Sequence, residues 1–298
     1  MLTKDLANVE PSAGAHWRDY YALTKPGVVQ LLVFTAIVGM FLAAPGMVPW
    51  DALIAGSLGI GLAAAAGAVV NQILDQRIDA QMARTRNRPL PQGRISERDA
   101  LAFALGLGLS GLLVLVLFVN VLTAALTFVS LIGYAVVYTV YLKRATPQNI
   151  VIGGAAGAVP PLVGWAAATG GLTVDALWPF LIVFLWTPPH FWALSLLIKD
   201  DYARTGVPMM PVARGEESTR RQILAYSVIL VAVTLAPAFT GLFGGIYLAA
   251  ALVLGGVFLG LAIKLMRSPS RKAALRLYLS SLAYLALLFV AMAIDRAV

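Results

Sequence analysis

The chain has 298 residues, of which 60% are hydrophobic and only 12% charged, with a net charge of +8 and no cysteine. Soluble domains carry about a quarter charged residues, so this composition excludes an ordinary water-soluble globule. The lack of cysteine excludes thiolate metal sites, catalytic thiols and disulfides together.

Residues 1–25 read as a cytoplasmic N-terminal segment, with a short interfacial helix expected through Trp17, Tyr20 and Tyr21, while His16 suggests no role. Apolar runs then recur at the length that crosses a hydrocarbon core as a helix, roughly 20 residues. They fall near 27–44, 52–74, 100–119, 121–142, 150–169, 176–198, 223–241, 245–266 and 274–294. The first follows its polar lead without a small-residue cleavage site, so it reads as a helix and not as a signal peptide. The expectation is an all-α, polytopic membrane protein: a nine-helix bundle forming one transmembrane domain over 26–298. Gly and Ala crowd GLAAAAGA (61–68), GGAAGA (153–158) and LGGVFLG (254–260), where small residues let helices approach closely. Pro160-Pro161 and Pro188-Pro189 fall inside the fifth and sixth runs and should kink them.

A basic excess can signal nucleic acid, but here its placement signals topology. Lys4, Arg18 and Lys25 precede the first run, and nearly all other Lys and Arg lie in the connections 2–3, 4–5, 6–7 and 8–9. The alternate connections have none. Nine spans with a cytoplasmic N-terminus put every basic connection inside, as the positive-inside bias requires. No nucleic acid partner is implied. The bilayer is the partner, and the polar site faces the cytoplasm.

The loop after the second run opens with Asn71, Asp75 and Asp79 at steps of four residues, which places them on one helix face over about 12 Å. Like charges at this spacing repel, so a compensating cation is needed. Carboxylate and amide oxygens, with water and phosphate oxygens, suit Mg²⁺ or Mn²⁺. Arg84, Arg86 and Arg88 follow, and guanidinium matches phosphate geometry. Solvated acids at a helix end are the plainer alternative. The loop after the sixth run echoes this order with Asp200 and Asp201, then Arg204 and prolines, which suggests a duplicated site. Two acidic clusters at one membrane face are better explained by a diphosphate held through divalent ions than by chance ion pairs with Lys199 or Arg204. In loop 4–5, Lys143 and Tyr138 are candidates to donate to leaving-group oxygens, as alternatives to an interfacial anchor. Arg144 and Lys199 are further candidate cations for the same phosphate. His190, in LWTPPHFWAL, is open to three readings: a haem ligand, an acid–base group, or a buried donor to a carbonyl freed by Pro188-Pro189.

Asn71-x3-Asp75-x3-Asp79 with a second acidic loop resembles the intramembrane aromatic prenyltransferases of the UbiA superfamily. Within it, DAQMARTRNRPLPQGRIS (79–96), YLKRATPQNIVIGGAAGAVPPLVGW (141–165), LWTPPHFWALSLLIKDDYARTGVPMMPV (185–212) and TKPGVV (24–29) are similar to the haem-farnesylating branch. The resemblance implies a UbiA-type bundle in the cell inner membrane that joins farnesyl diphosphate to the 2-vinyl group of haem B, giving haem O and diphosphate. It implies Mg²⁺ between Asp75, Asp79 and the second acid cluster, with Asp201 preferred over Asp200. Asn71 would complete the stripe, and Lys143, Tyr138 and the arginines would steady the leaving group. His190 would lie on the haem side. Haem A synthase or a terminal oxidase would be candidate recipients of the product. The chain departs from the superfamily pattern at Gln72, where many relatives have Asp, and at Leu196 and Leu197, where a second D-x-x-x-D would begin. A different aromatic acceptor, hydroxybenzoate or chlorophyllide, is the first alternative, and PHFW and RTRNRPLP argue against it. A transporter is the second, suggested by the proline pairs but opposed by the absence of any acid mid-span.

Overall fold

In a hydrocarbon solvent every backbone N–H and C=O must be paired within the chain, and apolar runs of this length can do so only as helices. The computed structural model describes residues 16–44 and 46–298; Lys4 and most of the expected N-terminal segment lie outside the described residues. Nine helices among the described residues are long and apolar enough to cross a membrane. They are span 1 (Pro26–Ala43), span 2 (Ala52–Asp79), span 3 (Glu97–Phe118), span 4 (Val121–Ala145), span 5 (Asn149–Thr169), span 6 (Val174–Leu197), span 7 (Gly215–Phe239), span 8 (Gly245–Arg267) and span 9 (Arg271–Ala297). The chain is an all-α, multi-pass membrane protein. A short helix, Trp17–Leu23, precedes span 1.

The helix ends follow local chemistry. Ser96 accepts from the Asp99 N–H at 3.0 Å and starts span 3. Asn120 caps span 4 through the Thr123 N–H at 2.8 Å, while its amide reaches across to the Ala166 carbonyl at 2.9 Å. Span 7 begins eight residues earlier than its apolar run, at Gly215. Its first turns are polar and carry the pairs Glu216–Arg220 and Glu217–Arg221, whose i,i+4 spacing supports a helix outside the lipid.

Span 2 packs on spans 1, 3 and 4, and span 6 on spans 5, 7 and 9, with span 9 returning to span 1. Leu105, Leu109, Leu113 and Leu117 form an outward stripe along span 3, the apolar face a bilayer covers. The closest backbone-to-backbone contact is made by glycines outside the Gly/Ala-rich stretches. A Cβ added at Gly39 would sit 2.2 Å from the Pro161 carbonyl oxygen, and one at Gly164 would sit 1.8 Å from that of Ala36. These two glycines bring spans 1 and 5 into backbone contact. Gly59 and Gly111 do the same for spans 2 and 3: a Cβ added at each would lie 2.9 and 2.7 Å, respectively, from the other's carbonyl oxygen.

The two proline pairs behave differently. Span 5 breaks at Val159 into Asn149–Ala158 and Pro160–Thr169, so Pro160 begins a new helix where its missing N–H is no loss. Span 6 remains one helix, Leu177–Leu197, through Pro188 and Pro189. Span 4 widens to i→i+5 pairing over Gly133–Leu142, a π segment of a kind often found at functional sites. Gly164→Ala is expected to destabilise the bundle by about 1–3 kcal/mol through overpacking. Thermal melting in detergent checks this, with Gly157→Ala, whose added Cβ would meet nothing within 4 Å, as the unchanged control.

Candidate active site

Asn71, Asp75 and Asp79 lie on the last turns of span 2 and are each only 4% exposed. Their four-residue spacing turns all three inward. The compensating charge comes from other helices. Lys143, at the end of span 4, donates to Asp75 Oδ2 at 2.6 Å, and the Asn71 amide donates to the same oxygen at 3.0 Å. Asn71 also reaches Thr139 Oγ1 at 3.0 Å. Arg88 pairs with Asp79 at 2.6 Å, and Thr85 donates to the Asp79 carbonyl at 3.0 Å, which folds the arginine loop back over the helix end. Lys143 is therefore a buried partner of the stripe and no interfacial anchor.

Lys25 is a residue that sequence reasoning missed. It had counted only as a topogenic charge, yet its ammonium donates to Asn71 Oδ1 and lies 3.4 Å from the Tyr134 hydroxyl. Its backbone is left-handed, with φ of 51°, uncommon for a residue with a side chain. Pro26, just after it, also disfavours the right-handed α region. Burial lowers its ammonium to about 8; Arg88 adds to the fall, and Asp79 and Asp75 oppose it. Its available signal was a lysine held by T-K-P-G at the start of a span. Thr139 had a signal too, since it stands one turn before Lys143.

Gln72 points elsewhere. It is 1% exposed and donates to the Leu23 carbonyl at 2.7 Å, tying the end of the Trp17–Leu23 helix to span 2. Where the superfamily motif would have an acid, this chain has a structural clasp.

The second acidic cluster divides. Asp201 is buried and paired with Arg204, whereas Asp200 is exposed. Burial pushes the Tyr202 phenol up; Arg84 pulls it down, and Asp75, Asp201 and Asp79 add to the rise. One buried phenol thus feels acids of both clusters and Arg84. Tyr202 packs with Met82 and Ile150, and Ile78, Tyr138 and Phe191 lie against the same cluster. The Tyr138 ring stacks on Tyr134 at 5.9 Å and fills the space beside Gly153, where an added Cβ would meet it at 2.3 Å. Three candidate cations stand apart: Arg86 and Arg144 are exposed and make no side-chain pair among the described residues, and Lys199 bonds Glu216 at 3.0 Å.

His190 is buried in span 6, about two turns before its end. It makes no bond to a carbonyl freed by the prolines. Its Nδ1 meets Ser281 Oγ of span 9 at 2.6 Å, and its ring stacks on Trp186 at 4.3 Å and leans on Tyr278 at 4.9 Å.

Among the described residues no group of three His or acidic side chains could hold a metal by itself. Asp75 Oδ1 and Asn149 Oδ1 are nevertheless buried with no hydrogen-bond partner. Unpartnered hard oxygens fit a divalent cation whose remaining ligands are phosphate oxygens and water.

The chain belongs to the UbiA prenyltransferase family, whose model matches residues 32–291. Within that family it is 59% identical to protoheme IX farnesyltransferase of Alkalilimnicola ehrlichii, over 97% of this chain and 96% of the relative. The enzyme of the same name from Methylococcus capsulatus is 54% identical over 96% of both chains. Among solved structures, a digeranylgeranylglyceryl phosphate synthase matches with a TM-score of 0.78 at 19% identity, covering 94% of this chain and 98% of that one. A UbiA homologue from Archaeoglobus fulgidus bound to GPP and Mg²⁺ matches at 0.63 and 16% identity, covering 92% and 99%. At these identities the shared property is the fold.

Lys143→Met would strand Asp75 as a buried, half-compensated charge, a loss of about 3–5 kcal/mol. Melting in detergent should show that loss, and the double variant Lys143→Met/Asp75→Asn should recover much of it. Additive losses would mean that the two residues are not coupled.

Proposed function

We propose that this chain transfers the farnesyl group of farnesyl diphosphate to the 2-vinyl group of haem B, giving haem O and diphosphate. The observation that carries this reading is Asp75: a buried carboxylate with one oxygen held by Lys143 and Asn71 and the other free of partners. It stands in a chain more than half identical, along nearly all its length, to protoheme IX farnesyltransferases.

Asn71, Asp75 and Asp79, joined by Asp201 in preference to exposed Asp200, would hold Mg²⁺ or Mn²⁺ against the diphosphate. When bound, the divalent ion neutralises charge on the departing diphosphate. The chain's own cations share that task. Lys143, Arg88 and Lys25 already lie at the stripe, and Arg84 lies within electrostatic reach of it, so developing leaving-group charge meets fixed donors. Tyr138, which packs beside Tyr202, would donate to the same oxygens. Arg86, Arg144 and Lys199, nearer the surface, would steer the anion inward.

In the reaction the C1–O bond of the allylic diphosphate breaks, and diphosphate leaves with the electron pair. The vinyl π electrons of haem B attack C1, and water captures the resulting cation with loss of a proton, leaving a hydroxyethylfarnesyl chain. A bundle with an apolar wall keeps water from the first cation, which would otherwise be quenched. His190, behind Phe191 in that wall, would lie on the haem side. The basic connections and the whole polar site would face the cytoplasm from the inner membrane, with the N-terminus inside. Haem A synthase or a terminal oxidase would take the product.

Membranes holding the chain, supplied with farnesyl diphosphate and either haem B or 4-hydroxybenzoate, should prenylate haem alone and stop on treatment with EDTA. Asp75→Asn and Asp79→Asn should each remove haem O formation while leaving the bundle folded. Near-normal turnover in both would sink the diphosphate assignment, and prenylated hydroxybenzoate would sink the acceptor.

A further inference from the structure

Ser281 of span 9 is fully buried and lies at the centre of three hydrogen bonds. Its carbonyl accepts from Trp186 Nε1 at 2.7 Å, while its hydroxyl oxygen lies 2.6 Å from both the Tyr278 carbonyl oxygen and His190 Nδ1. A serine hydroxyl has one proton. The Tyr278 carbonyl has none to give, so at 2.6 Å the hydroxyl must donate to it; otherwise two oxygen lone pairs would face each other. Ser281 Oγ can then only accept from His190, and Nδ1 must carry a proton. The imidazole is therefore the Nδ1–H tautomer. The doubly protonated form would put an unpaired cation inside a membrane helix, since no acid bonds His190 among the described residues.

What remains is Nε2, with a free lone pair. It has no hydrogen-bond partner among the described residues, and it is not one of the polar atoms sealed from solvent without a partner. Its surroundings are flat and aromatic: Trp186 stacked at 4.3 Å, Tyr278 at 4.9 Å, and the Phe191 edge at 6.1 Å. A histidine that ligates a metal typically donates its other ring N–H to a neighbouring acceptor, which fixes the tautomer and the ring orientation. Imidazole nitrogen suits iron.

We propose that Ser281 is a positioning residue for the acceptor: it fixes His190 as the Nδ1–H tautomer and thereby presents Nε2 as a ligand to the iron of the substrate porphyrin. The inference rests on the haem-acceptor reading and deepens it. Bound this way, the macrocycle is held by its metal as well as by its apolar rim, and the iron sets where the reacting vinyl group lies. The end of span 6 at Leu197, just before the short helix that carries Asp201, is about 10 Å from His190 at 1.5 Å per residue, a distance a porphyrin can bridge.

The test uses the purified full chain without farnesyl diphosphate, titrated with haem B and separately with metal-free protoporphyrin IX. The two have the same ring and vinyl groups and differ in the iron, so their affinity ratio reports ligation, and a variant's general loss of folding moves both together. The wild type should prefer haem B by about tenfold or more, with the absorption and EPR signature of imidazole-bound ferric iron. His190→Ala should abolish the preference and the signature, and added imidazole should restore the signature. Ser281→Ala should reduce the preference by about tenfold, with protoporphyrin binding little changed, and Ser281→Thr, which keeps the hydroxyl, should retain it. Equal losses for both ligands in Ser281→Ala would make the residue merely structural and overturn the proposal. So would a His190→Ala variant that keeps the haem preference, whatever its turnover. A wild type that farnesylates haem without any preference for the iron would leave the haem-acceptor reading intact and overturn this inference alone. A wild type that neither binds nor prenylates haem would overturn both.

Discussion

A carboxylate removed from water must find its compensation inside the protein, and Asp75 imposes that demand on the whole polar face of the bundle. Taking an ion out of water costs several kcal/mol even after relaxation, so Lys143 and Asn71 are not optional neighbours. Meeting the demand draws the end of span 4 to the end of span 2, and Lys25 at the start of span 1 joins through Asn71. Asp79 places a second demand, answered by Arg88, and that answer folds the arginine loop over the helix end. A buried ion pair is poor evidence for stability, since well-packed apolar residues often do as well. Its presence here makes more sense as a charge arrangement assembled before substrate arrives.

Below this polar layer, backbone contact sets the geometry. Gly39 and Gly164 allow spans 1 and 5 to touch main chain to main chain, and Gly59 and Gly111 do so for spans 2 and 3. In lipid, where apolar side chains gain little from meeting one another, such close packing supplies much of the attraction between helices. Pro160 sits beside one of these contacts and begins a new helix there, so the break in span 5 and its approach to span 1 form one feature.

The spans were legible because lipid imposes a length and a composition that few other constraints can mimic. Span 7 began early because its polar first turns are held by i,i+4 pairs, a signal that hydropathy does not register. The stripe from Asn71 to Asp79 was legible from its four-residue step. Its partners were not, because Lys25 and Lys143 approach from helices distant in sequence: topology alone accounted for the charge of Lys25, and Lys143 stood out as a candidate donor to the leaving group without being tied to Asp75. The contact glycines were hidden for a related reason: Gly39 and Gly164 stand outside the small-residue clusters, and only the path of the opposing backbone distinguishes them. Gln72 shows the reverse, since the sequence marks it as a missing acid and the structure gives it a different task.

Lys143 and Arg88 are already bonded to carboxylates. On the proposed reading, a diphosphate that takes either cation releases negative charge on Asp75 or Asp79, which then attracts a divalent ion more strongly. A divalent ion that takes either carboxylate frees the ammonium or guanidinium for phosphate. Each ligand thereby lowers the cost of admitting the other, and thermodynamic linkage makes the help equal in both directions. On that reading the two ion pairs would give the resting site positive heterotropic cooperativity between metal and anion, with each held weakly alone and firmly together.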